Sequence, residues 1–67
     1  MMRDLICNLT REKDELLDKL SKLEKFLHSD LSTTIDPIQL NLLKIQFDSM
    51  SSYFRTLELR IKLLKVE

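Results

Sequence analysis

The fold is decided by residues 36–66, which read DPIQLNLLKIQFDSMSSYFRTLELRIKLLKV. Apolar side chains recur there at alternating spacings of three and four, which predicts one long amphipathic α-helix. The main stripe consists of Leu40, Leu43, Phe47, Met50, Phe54, Leu57, Ile61 and Leu64. A second apolar set falls on roughly the opposite side of this helix. Its members are Ile38, Ile45, Leu59, Leu63 and Val66. One stripe can pack against the rest of the chain and the other needs a partner, so we expect the second set to form an oligomer interface.

The start of this helix is marked by two neighbouring residues. Asp36 suits the N-cap, where its carboxylate accepts hydrogen bonds from unpaired backbone N–H groups. Pro37 suits the first helical position because its missing N–H would have no partner there. We therefore predict a helix at about 37–65.

An earlier apolar stripe predicts a first helix at about 3–28. It runs from Ile6 to Leu27 with the same three-and-four spacing. Ser, Asp and Thr dominate the segment that follows, residues 28–34, and these residues favour turns and caps. Two long helices with a short connection predict an all-α antiparallel hairpin, a single domain over residues 1–67. Because two helices leave apolar surface uncovered, we expect a dimer or higher homo-oligomer that forms a helical bundle.

Composition excludes several classes of function. Eleven basic and eleven acidic residues cancel, whereas a nonspecific DNA-binding protein normally has a basic surplus, so the composition disfavours nucleic-acid binding. The chain has no glycine, and therefore no Gly-rich loop that cradles phosphate. No apolar run approaches the roughly 20 residues of a membrane span. The single Cys7 and the lack of a Cys/His cluster predict no disulfide, metal or cofactor. Without a secretory signal at the start, we expect a cytoplasmic protein.

Lys13 occupies a position in the first stripe where an apolar residue is expected. One interpretation is that its stem packs along the seam and its ammonium group helps to fix the helix register. The other is that this cation faces an anionic ligand at a subunit junction. Lys62 and Lys65 need no ligand, because cations near the end of a helix complement its dipole.

Small polar residues interrupt the second apolar set in its middle. They are Ser49, Ser52 and Thr56, and they are flanked by Tyr53, Arg55 and Arg60. Small hydroxyl side chains allow another helix to approach closely, which is one interpretation. Alternatively they line a polar pocket between subunits, where Tyr53 stacks on a base and Arg55 or Arg60 pairs with a phosphate. No nucleophile and base are spaced for catalysis, so we do not expect an enzyme.

The second half of the chain also carries a spaced pattern of glutamine, methionine, tyrosine and an Arg-Ile pair. The positions are Gln39, Leu42, Leu43, Gln46, Met50, Tyr53, Leu57, Arg60 and Ile61. The first helix adds Glu12, Glu15, Leu16, Lys19, Leu20, Lys22, Leu23 and Phe26. Together they resemble a family of small, largely uncharacterised proteins of phages and prophages, including crAss-like phages. Phe47 and Ser49 depart from the pattern, since the family more often has Leu and Ala there.

This resemblance implies a phage source and a helical-hairpin fold. The shape is similar to that of phage anti-CBASS and anti-Thoeris sponges, which form small oligomers and bind nucleotide signals between subunits. No sponge motif matches residue by residue, so this likeness concerns fold alone.

Three functions from different classes remain open at this stage. The first is a sponge that sequesters a cyclic oligonucleotide or an ADP-ribose-derived signal in the infected bacterial cell. The second is a helical module that binds a host or phage protein through its exposed apolar face. The third is a nucleic-acid-associated phage regulator that uses the basic C-terminal end.

Overall fold

The computed structural model describes residues 2–65 and contains two long helices joined by a short connection. Helix α1 spans Met2–Leu27 and helix α2 spans Pro37–Lys65. They pack against each other as a hairpin that measures 48 × 15 × 14 Å. The all-α hairpin fold is thereby confirmed, and both predicted helices are present within one residue of their predicted bounds.

The N-terminus of α2 is capped as the sequence predicts. The backbone N–H of Ile38 donates a hydrogen bond of 2.8 Å to Oδ1 of Asp36. The N–H of Leu40 donates to the backbone carbonyl of Asp36 at 2.9 Å, which is the first hydrogen bond of the helical ladder. A side-chain oxygen at this position satisfies a donor that the helix cannot satisfy itself, so the cap fixes where α2 begins.

The connection is more ordered than the sequence indicates, because it contains a 3₁₀ helix at Asp30–Thr34. Hydroxyl groups within this 3₁₀ helix, and that of Ser29 just before it, donate to backbone carbonyls three residues earlier. Ser29 bonds the carbonyl of Phe26 at 2.7 Å, and Ser32 bonds that of Ser29 at 2.8 Å. Ser32 is buried, and this bond satisfies its hydroxyl. Side chains that compete for backbone hydrogen bonds end α1 and tighten the chain before α2.

The core lies along the line where α1 and α2 meet. Its buried members are Leu9, Leu16, Leu20, Leu57 and Ile61, and Leu57 is fully buried. Half-buried neighbours extend it along both helices: Ile6, Phe47, Met50, Phe54 and Leu64. All eight residues of the predicted main stripe of α2 are buried or half buried, so the assignment of its inner face is confirmed.

The second apolar set of α2 remains uncovered by its own chain. Ile38 is 70% exposed and Leu63 is 71% exposed, while Ile45 and Leu59 are each more than half exposed. Val66, the fifth member, lies outside the described residues. The exposure of these side chains agrees with a surface that binds a partner, and the oligomer itself stays a prediction.

No helix within residues 2–65 is long and apolar enough to cross a membrane.

Candidate functional site

The polar middle of the second apolar set lies on the outer face of α2, directed away from α1. Ser49, Ser52 and Thr56 are all exposed there. The hydroxyl of Thr56 donates to the backbone carbonyl of Ser52 at 2.9 Å. This bond uses the only proton of the Thr56 hydroxyl, so that group can still accept a hydrogen bond but has no free donor.

Two of these residues open onto a groove along one flank of α2. Its volume is about 470 Å³, and we call it the hydroxyl groove. The groove is lined by Asp48, Ser51, Ser52, Arg55, Thr56 and Leu59. It therefore combines three hydroxyl groups, one cation, one anion and one apolar wall. Three of the predicted ligand residues, Ser52, Arg55 and Thr56, are brought together here.

A second groove of about 380 Å³ lies between the two helices, further toward the C-terminus of α2. We call it the lysine groove, and it is lined by Lys13, Glu58, Ile61, Lys62 and Lys65. Ile61 is only 6% exposed and forms an apolar floor. Three ammonium groups face one carboxylate, which leaves the groove with a surplus of positive charge. Such a surplus on a partly apolar floor favours an anionic ligand.

Lys13 reaches this groove because it occupies an inward-facing position of α1. It is half buried, whereas most of the other charged residues of α1 are exposed. The sequence pattern identified Lys13 as a cation in an apolar stripe, whereas the helix dipole alone explained Lys62 and Lys65. Lys13 lies beside Lys62 and Lys65 because of how α1 and α2 are aligned in the hairpin. The periodicity of α2 alone does not predict this alignment.

Three predicted ligand residues lie elsewhere on α2. Tyr53 and Arg60 are exposed and line neither groove, because their positions on the helical wheel place them on the opposite flank from Arg55. Ser49 is also exposed and lines neither groove. Within one chain, a single ligand in either groove is therefore not in contact with Tyr53 or Arg60. Their role in ligand binding stays a prediction that needs a second subunit.

Nearly the whole sequence matches one known protein family. A family model described as Sequestin matches residues 4–63. The chain belongs to the Sequestin family. The match covers α1, the connection and nearly all of α2, and among the residues of the two grooves only Lys65 lies beyond it.

A curated relative places this Sequestin-family chain among phage proteins. The chain is 43% identical over 54 residues to the "uncharacterized 7.5 kDa protein in denB-rIIB intergenic region" of Enterobacteria phage T4. The alignment covers 81% of this chain and 84% of the relative. No solved structure matches the chain significantly. The predicted membership in a family of small phage proteins is confirmed, while the links to crAss-like phages and to sponge folds stay predictions.

Proposed function

We propose that this protein sequesters a nucleotide second messenger of bacterial anti-phage defence in the cytoplasm of the infected cell, without converting it. The ligand class is a cyclic oligonucleotide or an ADP-ribose derivative, both of which carry phosphate. The observation that carries the proposal is the lysine groove. The description of the family as Sequestin and the phage relative support it.

The lysine groove has the size and charge that a phosphate-bearing ligand requires. Its volume of about 380 Å³ falls within the range of about 300–1,000 Å³ typical of small-molecule sites. Lysine ammonium groups bind phosphate as point charges, and three lysines line this groove. Lys13 is already held half buried by the helix interface, so less conformational entropy is lost when it engages a phosphate.

In the single chain, the hydroxyl groove extends the proposed site along α2. Thr56 and Lys62 are six positions apart, which corresponds to about 9 Å along a helix. Arg55 is one position further away, at about 10 Å, so a nucleotide whose phosphate lies at Lys62 has the hydroxyl of Thr56 and the guanidinium of Arg55 within reach of its sugar or base. Neither groove needs a catalytic group for such binding, so we propose a binding protein and not an enzyme.

We also propose that the chain associates with itself, as a dimer or higher oligomer, through the exposed face of α2. Tyr53 and Arg60 lie on the opposite flank from the grooves, so they reach a ligand only if a second copy presents it. Stacking by Tyr53 and phosphate pairing by Arg60 therefore require an oligomer in which this flank of one copy faces a groove of another.

A thermal-shift screen against cyclic di- and trinucleotides and ADP-ribose derivatives tests nucleotide binding. At about a hundred times Kd, a ligand adds about 2.7 kcal/mol of stability and raises the Tm of so small a domain by more than about 10 °C. We expect Lys13→Gln with Lys62→Gln to abolish that shift. Lys44→Gln is the matched control, since Lys44 is an exposed lysine of α2 that lines neither groove. Mass spectrometry should recover the ligand intact.

The competing proposal is a module that binds a host or phage protein through its exposed apolar face. The observation that favours it is the exposure of Ile38 and Leu63, each at about 70% in the single chain. If no nucleotide shifts the Tm while a pulldown from infected cells recovers one stoichiometric protein, this function replaces the sponge. A Leu63→Glu variant should then lose the captured protein while remaining folded.

A further inference from the structure

The exposed outer face of α2 follows a strict heptad pattern through its polar middle. Its positions alternate between spacings of four and three without interruption. They are Ile38, Leu42, Ile45, Ser49, Ser52, Thr56, Leu59 and Leu63, which we call the outer seam. All eight are exposed in the single chain. An unbroken heptad seam is the geometry that a second helix recognises by knobs-into-holes packing.

We propose that the outer seam binds the outer seam of a second copy, with the two α2 helices antiparallel. The seam has apolar ends and small hydroxyl side chains in its middle, and six of its eight positions keep their residue type when the order is reversed. The two exceptions are Ile45 and Thr56, which face each other in an antiparallel pair. In an antiparallel pair, Ile38 faces Leu63 of the second copy, and Leu42 faces Leu59 of the second copy. At the centre, Ser49 faces Ser52 of the second copy. Such self-complementarity is what a two-fold symmetric interface requires.

Charged residues beside the seam select this register. Asp48 and Arg55 lie on the same flank of the seam, seven positions apart. In the proposed register, Asp48 lies beside Arg55 of the second copy, and the symmetry repeats this pair. Residues that flank a coiled-coil seam determine partner and orientation through such pairs.

Alternative arrangements bring like charges together. Sliding one helix by a heptad in one direction places Arg55 beside Arg55 of the second copy, and sliding it in the other direction pairs Asp48 with Asp48. A parallel arrangement places Arg55 beside Arg60 of the second copy. Like charges at these positions destabilise the wrong arrangements, so the flanks disfavour all three.

The proposed dimer has a defined shape, because α1 covers nearly the opposite face of α2. Leu57 and Ile61 face α1, whereas the seam faces outward. Two hairpins joined through their seams therefore place both α2 helices inside and both α1 helices outside, with four helices side by side in one layer. This arrangement differs from a compact four-helix bundle. It buries the hydroxyl groove, because Ser52, Thr56 and Leu59 belong to the seam, so a nucleotide bound by the dimer is held at the lysine grooves alone. The two lysine grooves stay open and lie about 35 Å apart, since Lys62 of each copy lies 23 helical positions from the other.

This inference rests on the proposed self-association and is independent of nucleotide binding in the lysine groove. Sedimentation equilibrium of the full chain at micromolar concentrations should give a dimer. Leu42→Glu should shift it to a folded monomer, as circular dichroism would show. Leu17→Glu is the matched control, because Leu17 is also exposed, at 46% against 52% for Leu42, but lies on α1. The proposed interface is wrong if the wild-type chain is still a monomer at a concentration 100-fold above that of this experiment. It is also wrong if Leu42→Glu and Leu17→Glu weaken the dimer equally.

A charge-reversal cycle tests the register. Asp48→Arg should weaken the dimer about tenfold, because it turns two attractive pairs into two repulsive ones. Asp48→Arg combined with Arg55→Asp should restore dimerisation to near the wild-type level. If the double variant is no tighter than the single one, the antiparallel register is wrong even when the seam is correct. If the wild-type chain forms the dimer but no nucleotide raises its Tm, only the proposed sequestering function is refuted.

Discussion

Asp36 and Ile38 are joined by the hydrogen bond that sets the start of α2, from the Ile38 N–H to the Asp36 carboxylate at 2.8 Å. This bond fixes the first turn of α2, so it determines where the connection ends and the helix begins. The rotation of α2 is determined separately, by the burial of its inner stripe against α1. The cap and the stripe are both local sequence signals, and together they define the helix that carries the outer seam and most of both grooves.

Removing this cap should destabilise the chain without changing its fold. We expect Asp36→Ala to cost about 1 kcal/mol, since the substitution leaves an N-terminal N–H of α2 without its side-chain acceptor. Urea unfolding at fixed protein concentration measures the loss. Asp36→Asn is the control, because asparagine caps a helix about as well as aspartate. An equal loss in both variants would mean that the charge of Asp36, and not its hydrogen bond, is what matters.

The stability of the hairpin should depend strongly on Leu57, the one side chain among residues 2–65 that is fully buried in the core. Truncating a buried leucine to alanine costs about 2–5 kcal/mol. A core of this size supplies only about 3–5 kcal/mol, so Leu57→Ala should be largely unfolded at 25 °C. Circular dichroism at 222 nm measures the helix content. Leu17→Ala, which removes the same atoms from an exposed position of α1, should remain folded.

The fold was predictable because its signals are local. The Asp36–Pro37 pair fixes the start of α2, and the three-and-four spacing identifies its inner stripe, so neither depends on knowing the partner helix. The 3₁₀ helix in the connection was missed, because hydroxyl residues such as Ser32 indicate competition for backbone bonds but not which turn results.

The candidate site was only partly predictable. Ser52, Arg55 and Thr56 could be grouped because they lie within about one turn on the same helix. The lysine groove could not be assembled in this way, since Lys13 comes from α1 and Lys62 from α2. The one sequence signal for this groove was Lys13, a cation in an apolar stripe. Which residues of α2 lie beside Lys13 depends on how the two helices are aligned.

The Tm should rise with protein concentration. The exposed apolar ends of the outer seam, Ile38 and Leu63 among them, are covered only on association, and burying them favours the folded chain. Any partner that binds the folded state alone stabilises it by mass action, and a second copy is such a partner. Scanning calorimetry at two concentrations a hundredfold apart measures the shift. Leu63→Glu, which charges one end of the seam, should give a Tm that no longer depends on concentration.

Substitution of Lys13 separates its two interpretations. Lys13→Leu completes the apolar stripe of α1, so we expect a gain of about 1 kcal/mol from the added apolar burial. The same change removes a cation from the lysine groove and should weaken binding of a phosphate-bearing nucleotide at least tenfold, as titration calorimetry would measure. Lys13→Arg keeps the charge and should keep most of the affinity. If Lys13→Leu binds nucleotide as tightly as the wild-type chain, Lys13 serves helix register alone and the phosphate must be bound elsewhere.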